Sequence, residues 1–420
     1  MKKIRSLIIS FLVLLLVSCA TSGKTGKQST NKSGDANSSE KNNFEGIAER
    51  NNAFAFALFS RLEEKDENLF FSPYSITSAL AMTYEGAAGK TADEMSEVMR
   101  FISNKKENSI GFQQLNSSLE HAKGDNTELN IANAVWLQKD FDILPGYLQN
   151  VENYFDAPVK KLSFLNEEAI ENSRQEINNW IANETRDKIK DLIQPGVLSQ
   201  LTRMILTNAI YFKAGWQHPF SAAETEKGPF YTYNQEETTC DFMHQTGRFR
   251  YFADENFQIA EMPYDNGNYS MAIILPARDK STSIISKNIN SKLLDSLLKS
   301  ATSKRVKLII PKFKLTSTLQ PGQTLSGMGM QQAFSKDADF SGINGKKNLY
   351  IDAIVHKAFV GVEEKGTEAA ASTAVVMSLK SAMTEEPEPV TFKADHPFLF
   401  VIRERSTGCI IFMGKLSDPS

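Results

Sequence analysis

The chain has 420 residues, 41% hydrophobic and 23% charged, with 47 basic side chains against 50 acidic ones and a formal net charge of −3. That length buries a large core in one domain or in two or three smaller ones. The lack of a basic excess excludes a nucleic-acid-binding surface, and three cysteines exclude a disulfide-built scaffold.

At the start of the chain, Lys2, Lys3 and Arg5 precede an apolar run from Leu7 to Val17. The run is too short to span a bilayer and suits the hydrophobic region of a secretory signal, so residues 1–18 are read as a signal peptide rather than an uncleaved anchor helix. Leu16, Val17, Ser18 and Cys19 resemble the bacterial lipobox, in which the cysteine is lipidated and becomes the mature N-terminus. Acyl chains such as palmitate on Cys19 would hold the protein on a membrane, each buried methylene contributing about 0.8 kcal/mol. Ala20 after the cysteine favours the outer membrane of a bacterium; whether the domain faces the outside or the periplasm stays open.

From Ala20 to Asn43 the chain is Ser, Thr, Asn, Gly and Lys with almost no apolar residue, a composition that does not order itself. Residues 19–43 are therefore expected to form a lipidated, flexible tether with a root-mean-square span of roughly 25 to 30 Å. Residues 44–420 contain no linker-like break and no internal repeat, which predicts one domain of about 375 residues. Its first half is mainly helical. Phe54, Leu58 and Leu62 recur at helical spacing, Thr91 to Glu94 reads as a capping box ahead of Met95, and residues 166–192 carry Ile170, Ile177, Ile181 and Ile189 on one long helix. Leu129 to Leu137 and Arg203 to Phe212 read as strands, which dominate the last third, so the class is α+β with large antiparallel sheets. Cys240 and Cys409 are expected to be free buried thiols, one bridge between them being the alternative. No metal-ligand spacing and no cofactor motif is present.

The segment from Glu364 to Lys380, EKGTEAAASTAVVMSLK, alternates like a strand: Thr367, Ala369, Ala371, Thr373, Val375, Met377 and Leu379 form one small or apolar face. Yet Gly366 lies before most of it and Glu385, Glu386, Pro387, Glu388 and Pro389 follow it, as turn-formers bracket a loop. A segment suited to both states suggests a switch, although alanine also favours helix.

Six stretches in chain order together resemble the serpin family. They are NLFFSPYSITSALAMTYEGAAGKTADEM from Asn68, LTNAIYFKAGWQHPF from Leu206, IPKFKL from Ile310, MGMQQAFSKDADFSGI from Met328, VHKAFVGVEEKGTEAAASTA from Val355 and FKADHPFLFVIRERSTGCIIFMGKL from Phe392. The resemblance implies a fold of three β-sheets with about nine helices and an exposed reactive-centre loop at about 364–389. It also implies suicide inhibition of a serine protease, with a covalent complex as the partnership and a monomer as the free state. In that mechanism a protease is acylated by the loop, and the cut loop inserts as a strand into the central sheet. Fifteen residues of strand would carry the enzyme roughly 50 Å.

The hinge of such a loop must be free of charge, bulk and proline where side chains enter the sheet. Glu364, Gly366, Thr367, Glu368, Ala369, Ala370 and Ala371 satisfy this at the alternate positions Thr367, Ala369 and Ala371. Fourteen residues on from Gly366, the family's count places the reactive bond between Lys380 and Ser381. A lysine there implies a trypsin-like target, and Leu379, Met377 and Val376 are alternative sites for elastase-, chymotrypsin- or subtilisin-like enzymes. Ser72, Ser75, Asn208 and His356 match the family's hydrogen-bonded cluster beneath the opening strands, Trp216 an aromatic where the loop goes in, and Lys312 with Glu364 an ion pair across that point. His356 invites a general-base reading, but no GxSxG, HExxH or cysteine–histidine arrangement accompanies it, so no enzyme is expected. The rival reading is a non-inhibitory serpin acting as a binding module. A solute-binding lipoprotein would instead need repeated βαβ periodicity.

Overall fold

The computed structural model describes residues 36–64, 67–367 and 388–420. The chain opens with α1 (Ala36–Leu62), then the short β1 (Leu69–Phe71) leads into α2 (Pro73–Gly86). Ser72 caps α2 by accepting from the Ser75 N–H, and Pro73 takes the first helical position, where its missing N–H costs nothing. Nearly every side chain of α2 is buried, and its buried polar residues Ser75, Thr77 and Thr83 are hydrogen-bonded inside the protein. There follow α3 (Gly89–Met99), α4 (Lys105–His121), β2 (Glu128–Gln138), α5 (Pro145–Phe155), β3 (Val159–Leu162), α6 (Glu167–Glu184) and β4 (Met204–Gly215). The next run is β5 (Glu226–Tyr231), β6 (Glu237–Ala253), β7 (Phe257–Pro263), β8 (Tyr269–Pro276), α7 (Thr282–Asn288), α8 (Ser291–Ser300), β9 (Thr302–Pro311) and β10 (Phe313–Leu319). The chain closes with α9 (Gly322–Gly327), α10 (Ser341–Asn344), β11 (Ala353–Glu363), the two-residue β12 (Gly366–Thr367), β13 (Val390–Lys393), β14 (Phe398–Glu404) and β15 (Ile410–Leu416). No described helix is long and apolar enough to cross a membrane.

The strands hydrogen-bond into a six-stranded sheet, β10-β11-β12-β4-β2-β3, and a nine-stranded network, β1-β15-β14-β8-β7-β6-β9-β13 with β5 on β6. The network divides at the 17-residue β6. Its first residues pair β5, and only its last four, Arg250 to Ala253, pair β7, so β5, β6, β9 and β13 join the rest of the network through that short ladder alone.

Alternation along β2 and β4 separates two cores. Leu129, Val135, Leu137, Leu206, Ile210 and Phe212 face α2 and the main core, while Ala132, Ala134, Trp136, Ile205 and Ala209 face a second core under α6. There Trp136 and Trp180 meet edge to face at 5.5 Å, with the Lys160 ammonium over both rings.

Three local expectations are corrected. Thr91 lies inside α3, which starts at Gly89. Its hydroxyl accepts from the Asp339 N–H and Glu94 accepts from the Gln332 N–H, so both residues make tertiary bonds instead of a capping box. The helix expected over 166–192 ends at Glu184. Thr185 bonds back to Ile181 O, and Arg186 and Asp187 turn the chain with positive φ. Finally, α1 begins at Ala36, inside the stretch expected as tether. Once the turns around Ile47 and Phe54 are packed, extending a helix backwards adds one bond per residue without a new nucleus.

Candidate functional site

The site lies where the six-stranded sheet parts. β11 runs beside β4 from Ala353↔Ile205 to Phe359↔Tyr211, and beyond that pair the two strands diverge. Gly366 and Thr367 occupy the gap, Thr367 opposite Val362 and Ala214, and Gly366 opposite Glu363 and Gly215. Gly366 has φ +156°, and a Cβ on it would stand 2.2 Å from Ala214 O and 2.6 Å from Gly215 Cα. Only glycine lets the backbones approach this closely. Thr367 is fully buried, its hydroxyl 2.6 Å from the Tyr264 hydroxyl.

Trp216 closes the same mouth. Its ring stacks on Tyr264 at 4.3 Å, its indole N–H donates to Glu363 O at 2.9 Å, and its backbone N–H donates to Lys365 O at 2.9 Å. Glu364 lies on the turn between β11 and β12. Its carboxylate meets Lys312 Nζ at 3.0 Å and accepts from the Thr225 hydroxyl at 2.9 Å. Burial raises the Glu364 carboxyl, but hydrogen bonds from its own N–H, Lys312 and Thr225, with the lysine charge, outweigh it and leave the pKa lowered.

A buried polar row crosses the sheet lower down. Asn133 of β2 stands opposite Asn208 of β4, which stands opposite His356 of β11. His356 Nε2 accepts from the Ser72 N–H at 3.1 Å, so the neutral ring carries its proton on Nδ1, which donates to Asn208 Oδ1. Asn208 Nδ2 donates to the Ser75 hydroxyl and to Asn133 Oδ1, and Ser75 Oγ donates to Asn133 Oδ1 at 3.1 Å. Burial pushes His356 down to about 3, so it is neutral at physiological pH. The row ties the N-terminus of α2 to three strands through side-chain bonds that can exchange partners when the strands move.

Of the residues singled out in the sequence, the mouth gathers Gly366, Thr367, Glu364, Lys312 and Trp216, and the row gathers Ser72, Ser75, Asn208 and His356. Glu368, Ala369, Ala370, Ala371, Val376, Met377, Leu379, Lys380 and Ser381, like Cys19, lie outside the described residues. Sequence reasoning missed Asn133 and Tyr264. Asn133 carried a signal, a polar residue inside the apolar run Leu129 to Leu137. Tyr264 carried none. Cys240 and Cys409 are both free; burial pushes the Cys240 thiol up to about 11 and raises the fully buried Cys409 thiol well above its ordinary value.

A family model described as serpin (serine protease inhibitor) matches residues 49–419. An uncharacterised serpin-like protein of Thermococcus kodakarensis is 40% identical over 368 residues, covering 88% of this chain and 84% of its own. Leukocyte elastase inhibitor of Xenopus laevis is 37% identical, covering 87% of this chain and 97% of its own. The solved structure of human thyroxine-binding globulin with thyroxine matches at a TM-score of 0.81 and 32% identity, covering 90% of this chain and 100% of that one.

Proposed function

The chain belongs to the serpin family, and from that premise we propose that it is a suicide-substrate inhibitor of serine proteases with a trypsin-like primary specificity. The protease hydroxyl attacks the carbonyl carbon of Lys380, the bond to the Ser381 nitrogen breaks, and Ser381 leaves as a free amine while an ester forms on the enzyme. The freed segment that follows Thr367, as far as Leu379, then inserts between β11 and β4 and draws the acyl-enzyme away before water releases it.

The observation that carries this reading is β12. Its two residues already lie between β11 and β4, and the alternate positions that would follow, Ala369 and Ala371, bring no charge and no bulk into the sheet. Leu379, Met377 and Val376 extend the range to elastase-, chymotrypsin- or subtilisin-like enzymes as secondary targets. The lipobox at Cys19 supports attachment to a membrane surface, tested by detergent-phase partitioning of the wild type against Cys19→Ser.

Incubation with trypsin tests the inhibitory reading. An SDS-stable complex with a released C-terminal fragment beginning at Ser381 is expected. Cleavage without a complex would refute it and leave a non-inhibitory binding module.

A further inference from the structure

Tyr264 belongs to none of the motifs that carry the family resemblance, yet it forms the floor of the gap that Thr367 fills. Its ring lies between Trp216, stacked at 4.3 Å with planes 11° from parallel, and Phe212, edge to face at 5.3 Å. The residue is fully buried, and burial, opposed only by the bond to Thr367, keeps the phenol protonated well above its ordinary pKa. Among the described residues Thr367 is the hydrogen-bond partner of this hydroxyl.

We propose that Tyr264 is a positioning residue whose hydroxyl latches Thr367 in the sheet and biases the acyl-enzyme towards insertion rather than hydrolysis. The proposal rests on the inhibitory reading above. With Thr367 withdrawn, the Tyr264 hydroxyl is left among Trp216 and Phe212, and a buried unsatisfied hydroxyl costs more than its hydrogen bond contributes. The pair therefore favours Thr367 inside over Thr367 outside. It also fixes register. Thr367 is paired to Val362 and Ala214 before any bond is cut, so insertion starts as the extension of an existing strand.

The test compares wild type with Tyr264→Phe, Thr367→Val and the double variant, reading by gel the ratio of cleaved inhibitor to trapped trypsin complex. Each single variant orphans one buried hydroxyl and is expected to raise that ratio about fivefold. The double variant removes both hydroxyls while keeping both shapes and is expected to return within about twofold of wild type. The rate of the initial loop cleavage should be the same in all four. General weakening of the fold would make the double variant worse than either single one. Singles equal to wild type, or a double variant no better than the worse single, overturn the latch. If the wild type is cleaved without any trapping, the inhibitory reading has failed separately. The latch is then read by hydrogen exchange of the Thr367 amide in the uncut protein. Exchange about fivefold faster in Tyr264→Phe supports it, and an unchanged rate overturns it.

Discussion

Thr367→Glu places a carboxylate at the fully buried position between β11 and β4. It is preferred to arginine because it adds no new trypsin site. For the strand to form, the new side chain must enter either charged or protonated. Burying an unpaired carboxylate is the costlier route, so the group neutralises instead. At pH 8, protonating a glutamate of ordinary pKa near 4.3 costs about 5 kcal/mol, from 1.36 kcal/mol per pH unit. If the strand must pass through that state, insertion slows by on the order of 10³-fold while acylation of the protease is untouched. Acyl-enzyme that waits is hydrolysed. The expected result is complete loop cleavage with little trapped complex at pH 8.

The same arithmetic sets the pH dependence. Insertion raises the pKa of the new carboxyl, so the inserted form is favoured at low pH and penalised as pH rises. At pH 5.5 the cost falls to about 1.6 kcal/mol, and the ratio of cleavage to trapping, relative to wild type at the same pH, should drop to on the order of tenfold. Undiminished trapping at pH 8 would refute the requirement that Thr367 be buried for inhibition. A defect of equal size at both pH values would point to bulk rather than charge.

Gly366→Ala forces a Cβ to within 2.2 Å of Ala214 O; it should expel β12 from the resting sheet, seen as faster amide exchange at Thr367, and unchanged exchange would contradict the packing argument. His356→Ala strands the Ser72 N–H and Asn208 Oδ1 in the interior and should cost about 3 kcal/mol in denaturant unfolding. The wild-type imidazole, held at about 3 against an unfolded value near 6.5, contributes stability that is whole above pH 6.5 and declines as pH falls towards 3. The variant should lack that part of the slope, and an identical pH profile would remove His356 from the account. Lys380→Ala should abolish trapping of trypsin while leaving complex formation with an elastase-like enzyme, and retained trypsin trapping would move the reactive bond elsewhere. Cleavage of the loop should raise the melting temperature sharply, and an unchanged value would argue against insertion.

Much of the architecture was legible because packing and local pattern agree. Leu129 to Leu137 and Arg203 to Phe212 read as strands, and the structure places β2 and β4 within a few residues of those bounds. The helix drawn too far, to residue 192, shows where the pattern misleads. Ile189 lies in the same small core as Ile177 and Ile181, so its spacing reports burial after the helix has ended, and periodicity alone does not tell the two apart. Thr91 and Glu94 have the spacing of a capping box, but their partners, Asp339 and Gln332, are over two hundred residues away in sequence. At the mouth, Trp216, Lys312 and Glu364 were reached through family motifs rather than through periodicity. Tyr264 was not reached at all, because only the return of the chain after β7 brings it beneath Thr367.

The direction in which β4 and β11 run carries a thermodynamic consequence of its own. They lie parallel along Ala353 to Phe359, whereas β12 is antiparallel to both. On the inhibitory reading, each residue inserted opposite Ala353 to Phe359 would exchange one slanted parallel contact for two antiparallel ones, which are slightly more stable residue for residue. The gain comes from main-chain direction and owes nothing to side-chain identity. On that reading, substitutions in the hinge would slow this exchange without altering the main-chain contribution, which strand order alone sets. A resting sheet of this topology has one ladder fewer than its chain is able to form.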